Sequence, residues 1–345
     1  MVKRRKGEKE KNSLNSFVPF PLLPISPFRP ANPYPRISMS TQSLTLIPTP
    51  PYSFDLTVHR FARFKDEIVD RVVPDQYQRL LFVGRDLALA TVTDEGTIAK
   101  PLLRVELEGK GKVDLNRPEF AAQLRHILCT DLDLKPFYRL AKQDELLATI
   151  APQFRGLKLV QSPTVFEALV VAVLAQQVNL TFAYSIKKEL VETFGETWKT
   201  NRKTHYAFPD PARFAEQKEE DLLRFRLSRA KAGTLVRLGQ AFASGTVQET
   251  ALWKSSDEEA ITQLTQIKGI GRWSADIALM RGLARFDAFP GGDLGVVKYV
   301  AQGLLGKAEK ATETEMRIFA ERWKPYRGLA LIYCYAELIR REAGK

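Results

Sequence analysis

The sequence contains very few of the residues that hold metals in proteins. It has two cysteines, Cys129 and Cys334, and three histidines that stand far apart, at positions 59, 126 and 205. Two thiols cannot form a disulfide framework, a four-thiolate zinc site or a four-cysteine iron–sulfur cluster. The histidines show no metal-ligand spacing. We therefore expect neither a catalytic metal nor a zinc finger, and no motif indicates a cofactor.

Long apolar runs are missing too. No stretch approaches the roughly 18 to 20 residues that a membrane-spanning helix needs, so we expect no membrane protein. With 345 residues, 44% hydrophobic and 27% charged, the chain is long enough for two or three lobes around a sizeable core. Acidic residues are in the minority: 40 Asp and Glu against 52 Lys and Arg give a net charge of +12. This excess favours a polyanionic partner but does not identify one.

The first 51 residues differ in composition from the rest. They hold eight Lys and Arg against two Glu, and ten of the chain's 20 prolines lie between Pro19 and Pro51. Prolines at this density block helices and sheet ladders, so we predict that residues 1–51 form a disordered, basic leader. Its basic run Lys3–Lys11 leaves three interpretations open: a nuclear signal, an arm that contacts phosphates, or a leader without function before a true start near Met39.

The remaining sequence predicts an α+β fold class. A helix near His59–Val72 precedes three segments that alternate apolar and polar residues, the pattern of an antiparallel meander. These segments are Leu80–Gly84, Leu87–Thr93 and Thr97–Glu108. From Pro118 onward the period is helical and strand signals nearly vanish. We predict a small antiparallel-sheet lobe at residues 52–117, followed by a larger all-helical body at residues 118–345.

The most informative stretch is Leu264–Val300. Just before it, Ser256-Asp257-Glu258-Glu259 is a capping box that predicts the start of a helix. Gly269-Ile270-Gly271 then predicts a tight turn into a second helix, whose free amides and positive end suit a phosphate. Ile267 and Ile270 would anchor this turn in the core. A glycine pair alone is more simply an ordinary turn between helices.

Asp293 follows a short segment of proline and glycine. Pro290-Gly291-Gly292 interrupts regular structure immediately before it, which places Asp293 near the N-cap of a predicted helix, Leu294–Leu304. On this pattern alone a capping role and a catalytic role are both open.

These residues carry a resemblance to a known family. The segment Ile267–Val297 resembles the hairpin, Gly/Pro-rich loop and aspartate signature of the helix–hairpin–helix superfamily of DNA glycosylases. Within it, GIGRWSADIALMRGL and DAFPGGDLGV are similar to the 3-methyladenine DNA glycosylase II (AlkA-type) branch. The resemblance runs in order from Tyr52 to Ala343. Further matches are Gly156–Leu159, Phe166–Leu169, Val173–Asn179, Leu227–Ala232 and Glu321–Arg327.

The resemblance implies two helical lobes with an active-site cleft between them. It places the catalytic aspartate at Asp293 and the rings of Trp273 and Tyr335 in the base pocket, where ring faces attract a cationic base. The branch often has tryptophan at the position of Tyr335 and an aromatic residue at that of Ile277. Because an alkylated purine already carries positive charge, one carboxylate that stabilises the sugar cation is sufficient, without the second carboxylate common in glycoside hydrolysis.

The resemblance also implies DNA contacts. Gln177, with Gln176 beside it, stands where the family inserts a residue into the vacated base stack, and some members have an apolar residue there. Both glutamines are equally compatible with solvated residues that end an apolar helix. The implied contacts of the hairpin are Gly269, Ile270, Gly271 and Arg272. A monovalent ion at the backbone carbonyls of Thr265, Ile267 and Ile270 is the one metal that stays open.

The leading functional prediction is a monofunctional DNA glycosylase that flips out alkylated purines of the 3-methyladenine and 7-methylguanine type and hydrolyses their N-glycosidic bond, starting base excision repair. Lyase-competent relatives carry a lysine where this chain has Trp273, so water is the expected nucleophile. The alternatives are a glycosylase for oxidised or deaminated bases and a non-catalytic helix–hairpin–helix DNA-binding protein. We expect a monomer without cofactor that acts on damaged double-stranded DNA, in the cytoplasm with the nucleoid if bacterial and in the nucleus if eukaryotic.

Overall fold

The structure, a computed structural model, describes residues 39–200 and 203–343. Its N-terminal part is an antiparallel sheet of five strands in the order β1-β5-β4-β3-β2. The strands are β1 (Met39–Leu46), β2 (Arg71–Val73), β3 (Gln76–Val83), β4 (Asp86–Asp94) and β5 (Leu103–Lys110). The β3–β4 hairpin closes after the pair Val83 and Asp86, where Gly84 has a φ of +62° that glycine adopts without steric cost. The predicted meander is confirmed.

The first strand corrects the predicted leader. Met39–Leu46 pairs along its whole length with β5, from Met39 opposite Lys110 to Leu46 opposite Leu103, and Leu46 is buried. The alternation of Leu44 and Leu46 with polar neighbours is a strand pattern that lies in a gap between two groups of prolines. The predicted boundary at 51 is therefore wrong, since residues 39–51 belong to the folded part. The remainder of the predicted leader, residues 1–38, lies outside the described residues.

Helix α1 (Phe54–Ala62) precedes β2 and is capped by the Ser53 hydroxyl, which accepts from the amide of Leu56. The predicted helix near His59–Val72 is thus displaced toward the N-terminus, and its last residues are in β2. Helix α1 and the next helix cover one face of the sheet, where Tyr77, Val105 and Phe120 share a buried core.

The body that follows is mainly helical, as predicted. Its helices are α2 (Pro118–Ile127), α3 (Lys135–Ala141), α4 (Glu145–Ile150), α5 (Val165–Ala175), α6 (Leu180–Phe194), α7 (Pro211–Ala215), α8 (Glu219–Leu223), α9 (Arg229–Ala243), α10 (Glu249–Lys254), α11 (Asp257–Thr265), α12 (Arg272–Gly282), α13 (Ala301–Gly303), α14 (Glu313–Ala320) and α15 (Arg327–Ala343). One short hairpin, β6 (Thr197–Lys199) with β7 (Thr204–Tyr206), corrects the expectation of an all-helical body. The α+β fold class is confirmed. Among the described helices, none is long and apolar enough to cross a membrane.

Two buried cores divide the helical body. One is built mainly from α5, α6, α9, α11 and α12, and the other from α3, α4, α14, α15 and a π-helix at Gly295–Val300. Phe286 and Ile332 pack against both cores. The predicted helix after Asp293 is therefore present, but it begins as a π-helix, a form that often marks functional sites.

A buried ionic cluster connects the sheet to the helical body. Arg79 of β3 donates to Asp70 and to Glu167 of α5, each over 2.6 Å, and all three side chains are buried. Nearby, Lys187 of α6 donates to buried Glu67 over 2.7 Å. Burial opposes ionisation of Asp70, but the charges of Arg79 and Lys187 outweigh it and hold its pKa below the ordinary value. These buried ion pairs therefore join the sheet to helices α5 and α6, and each buried charge is compensated by its partner.

This cluster predicts a large effect of a single substitution. Arg79→Met leaves Asp70 and Glu167 buried without their cation, so we expect the free energy of unfolding to fall by about 3–5 kcal/mol. Arg104→Met is the matched control, because Arg104 pairs with Glu95 at the surface and such pairs contribute about 1 kcal/mol or less. Urea unfolding followed by circular dichroism measures both. Equal losses in the two variants would contradict a structural role of the buried cluster.

Candidate active site

The predicted hairpin joins α11 to α12. The capping box at the start of α11 is confirmed: the Ser256 hydroxyl accepts from the Glu259 amide over 3.3 Å, and the Glu259 carboxylate accepts from the Ser256 amide over 2.8 Å. Ile267 and Ile270 are buried as expected and anchor the turn in the first helical core. Gly271 is the N-cap of α12. Gly269 and Gly271 are exposed, so their amides lie at the surface of a turn that buried side chains hold in place.

Gly269 lets the hairpin approach α9 closely. Its φ is +102°, and a Cβ added at this position would lie 1.9 Å from the Thr234 hydroxyl oxygen. The neighbouring carbonyl of Lys268 accepts from Arg237 Nε over 3.0 Å and from the Thr234 hydroxyl over 3.4 Å. Both the turn and this contact need a residue without a side chain.

Gln176 and Gln177 end helix α5 but differ in their surroundings. Gln176 donates through Nε2 to the Gly269 carbonyl over 3.2 Å and to the Ser274 hydroxyl over 3.1 Å. Gln177 is exposed and has a φ of +55°, an uncommon conformation for a residue with a side chain. The structure thus uses Gln176 to hold the α5–α6 turn against the hairpin, and it presents Gln177 at the surface of that turn.

The carboxylate of Asp293 is held by three hydrogen-bond donors from three segments. Oδ1 accepts from the Gly295 amide and from the Tyr335 hydroxyl, each over 2.8 Å, and Oδ2 accepts from Trp273 Nε1 over 2.9 Å. Asp293 therefore lies near the start of a helix, as predicted. It contacts Trp273 and Tyr335, the two residues predicted to line the base pocket. Burial, and then the charge of Asp293, raise the pKa of Tyr335 well above its ordinary value, so this hydroxyl remains a donor.

Sequence reasoning missed the residues that hold the Asp293 loop. Arg317 of α14 donates to the Phe289 carbonyl over 2.8 Å and to buried Asp276 of α12, also over 2.8 Å. Arg272 donates to the other oxygen of Asp276 over 3.2 Å and pairs with Glu258. Burial raises the pKa of Asp276 although both arginines oppose this. No sequence pattern links Asp276 to Arg317, which lies 41 residues further along the chain.

Two other predicted contacts occupy defined places. Arg272, predicted to contact DNA, forms ion pairs with the carboxylates of Glu258 and Asp276. Its contact with DNA stays a prediction.

The Ile267 carbonyl, one of the three predicted ligands of a monovalent ion, accepts from the Ile270 amide over 2.9 Å. Each carbonyl oxygen has two lone pairs, so this hydrogen bond leaves one for an ion. Carbonyl oxygens are suitable ligands for such an ion, and this site also stays a prediction. The described residues contain no group of three or more His, Cys, Asp and Glu side chains that could hold a metal.

Comparisons with known proteins indicate the family to which the chain belongs. A family model described as HhH-GPD superfamily base excision DNA repair protein matches residues 170–325, which include the α5–α6 turn, the hairpin and Asp293. The chain is 30% identical over 297 residues to a DNA-3-methyladenine glycosylase of Bacillus subtilis, a match that covers 85% of this chain and 97% of that protein.

The chain belongs to the HhH-GPD superfamily of base excision DNA repair proteins. It is also 26% identical over 286 residues to DNA-3-methyladenine glycosylase 2 of Escherichia coli, covering 83% of this chain and 94% of that protein. The solved structure of a 3-methyladenine DNA glycosylase from Archaeoglobus fulgidus has the same fold, with a TM-score of 0.73, 24% identity, and coverage of 86% of this chain and 98% of that one. The resemblance read from the sequence motifs is confirmed.

The close approach of Gly269 to α9 predicts an effect on the stability of this HhH-GPD protein. We expect Gly269→Ala to lower the free energy of unfolding by about 1–3 kcal/mol, because the new methyl group meets Thr234 and the positive φ disfavours a side chain. Gly271→Ala is the control, since its φ is −98° and no atom lies within 4 Å of an added Cβ. Thermal unfolding followed by circular dichroism compares the two. Equal melting temperatures would show that the close approach to α9 is not needed.

Proposed function

We propose that this protein is a monofunctional DNA glycosylase that hydrolyses the N-glycosidic bond of alkylated purines and so starts base excision repair. The observation that carries the proposal is the Asp293 carboxylate, held between the rings of Trp273 and Tyr335 by three donors. A non-catalytic DNA-binding module has no use for a carboxylate positioned in this way. The similarity to DNA-3-methyladenine glycosylases supports the same activity.

Asp293 has the properties that this reaction needs. As the N-glycosidic bond breaks, positive charge develops on the sugar, and a fixed carboxylate stabilises it without reorganising. The three donors orient both carboxylate oxygens before substrate arrives. An alkylated purine departs as a neutral base, so no general acid is needed, and water attacks the sugar cation.

The ring faces of Trp273 and Tyr335 supply attraction for the base itself. A cationic base near an aromatic face gains about 0.5–2 kcal/mol, and a neutral base gains less. Both rings lie beside the carboxylate through their own hydrogen bonds to it, so the base and the sugar are bound by one connected group of residues.

The other predicted residues fit the handling of double-stranded DNA. The amides of Gly269 and Gly271 suit a phosphate, which positions the duplex without reading its sequence. Gln177 presents its side chain from an exposed turn beside this hairpin, as a residue that fills the place of a flipped nucleotide must. The protein acts as a monomer, with its cleft between two helical lobes, wherever the cell keeps its chromosomal DNA: the cytoplasm of a bacterium or the nucleus of a eukaryote.

The proposed activity is tested directly on methylated duplex DNA. We expect free 3-methyladenine and 7-methylguanine, identified by mass, and strands that break only after alkali. Borohydride is expected to trap no covalent protein–DNA adduct, because Trp273 carries no amine that could attack the sugar. An efficient adduct that is lost on replacing one lysine would contradict the monofunctional assignment, and the absence of any released base would contradict the function.

The role of Asp293 predicts a separation of catalysis from binding. Asp293→Asn keeps the size of the side chain but removes its charge and sets an amide against donors, so we expect excision to slow by about 10²–10³-fold while lesion-DNA affinity stays nearly unchanged. Tyr335→Phe, which removes one donor and keeps the carboxylate, is expected to cause a smaller fall. Single-turnover rates and affinities measured on the same duplex compare them. Wild-type rates for Asp293→Asn would refute the assignment.

A further inference from the structure

Two half-buried arginines form no ion pair within the described residues, and the charge of one lowers the pKa of the other. Arg281 is on α12 and Arg60 is on α1, and both are half-buried. Neither forms an ion pair within residues 39–200 and 203–343, and Arg281 makes one side-chain hydrogen bond there, from Nη1 to the Val160 carbonyl over 3.3 Å. A guanidinium has five N–H donors, so most of the donors of Arg281 are free for a ligand.

The geometry of α12 places Arg281 at the inner end of the pocket. Trp273, Ile277 and Arg281 are four residues apart and therefore lie along one side of the helix. Eight residues of helix rise about 12 Å, so Arg281 begins well beyond Trp273 and its contact with Asp293. Helical side chains lean toward the N-terminus of their helix, which directs Arg281 back over Ile277.

The surroundings of Arg281 contain aromatic rings and a second cation. Tyr335, which binds Asp293, and Tyr184 of α6 are both near enough to Arg281 to affect its pKa. Burial, and then the charge of Arg60, lower the pKa of the Arg281 guanidinium well below its ordinary value. Two like charges held together without a carboxylate cost free energy. Such an arrangement is suited to a ligand that supplies hydrogen-bond acceptors.

The shape of a purine determines which acceptor arrives there. A purine bound with its sugar carbon at Asp293 and its base along α12 would direct its N9 atom toward the carboxylate, so the substituent on C6 would lie at the opposite edge. In guanine-type bases this substituent is an oxygen that accepts hydrogen bonds, and in adenine-type bases it is an amino group that donates them. Because 7-methylguanine and 3-methyladenine carry the same positive charge, they differ at this edge by the direction of the hydrogen bond.

We propose that Arg281, with Arg60 beside it, is a specificity-determining residue that donates hydrogen bonds to the C6 oxygen of the flipped base, so that the enzyme favours alkylated 6-oxopurines over alkylated 6-aminopurines. An amino group at this edge sets donor against donor and leaves the guanidinium without its acceptor. The inference rests on the proposed function, because it concerns the pocket of that same reaction.

The test compares two bases released from one substrate. Duplex DNA methylated at both purines is incubated with wild type, Arg281→Met and Arg60→Met, and the rates of 7-methylguanine and 3-methyladenine release are measured by mass spectrometry. We expect Arg281→Met to lower the ratio of the two rates by at least about tenfold, through slower release of 7-methylguanine and not of 3-methyladenine. Arg60→Met is expected to shift the ratio in the same direction by a smaller factor.

Arg85→Met is the control, since Arg85 is exposed in the β3–β4 turn of the sheet and is expected to leave the ratio unchanged. Circular dichroism checks the fold, and if Arg281→Met does not fold, Arg60→Met decides the question. An unchanged ratio, or an equal loss of both bases, overturns the inference and leaves the proposed function intact. A wild-type protein that releases neither base overturns both.

Discussion

The hydrogen bond from Trp273 to Asp293 joins the two helical cores at the proposed catalytic carboxylate. Trp273 belongs to α12, a helix that contributes to the first core, whereas Asp293 precedes the π-helix of the second. An indole N–H only donates and an ionised carboxylate only accepts, so this contact fixes the orientation of both groups. The carboxylate therefore keeps its place only while the two cores keep theirs.

Helix α12 coordinates most of what surrounds that contact. Its first residues end the hairpin, and Trp273 in its first turn donates to Asp293. Asp276, three residues further on, holds the Asp293 loop through Arg317. Buried charges of this kind cost desolvation and are weak evidence for stability. Asp276 is best understood as a positioning residue, because it holds the loop where a small displacement would separate the carboxylate from its donors.

The parts of the site that sequence could predict are those with local signals. The capping box, the glycine hairpin and the Pro-Gly-Gly segment before Asp293 are each defined by a few consecutive residues. Each of these patterns predicted the correct position of its turn or helix start. Strand β1 was missed because prolines on both sides hid a short alternating segment. The role of Gln176 at the hairpin and the bond between Asp276 and Arg317 join residues 93 and 41 positions apart, and no local pattern reports such pairs. Only packing brings them together.

The two ends of the proposed base pocket favour opposite charges. Near the sugar, a carboxylate and two aromatic rings favour positive charge, which suits both the sugar cation and an alkylated base. At the far end, Arg60 and Arg281 oppose positive charge and supply donors instead. A base that satisfies both ends must carry its positive charge near the glycosidic bond and an acceptor at its distal edge. The proposed pocket would therefore select a base by where its charge and its hydrogen-bond acceptors lie, and not by total charge alone.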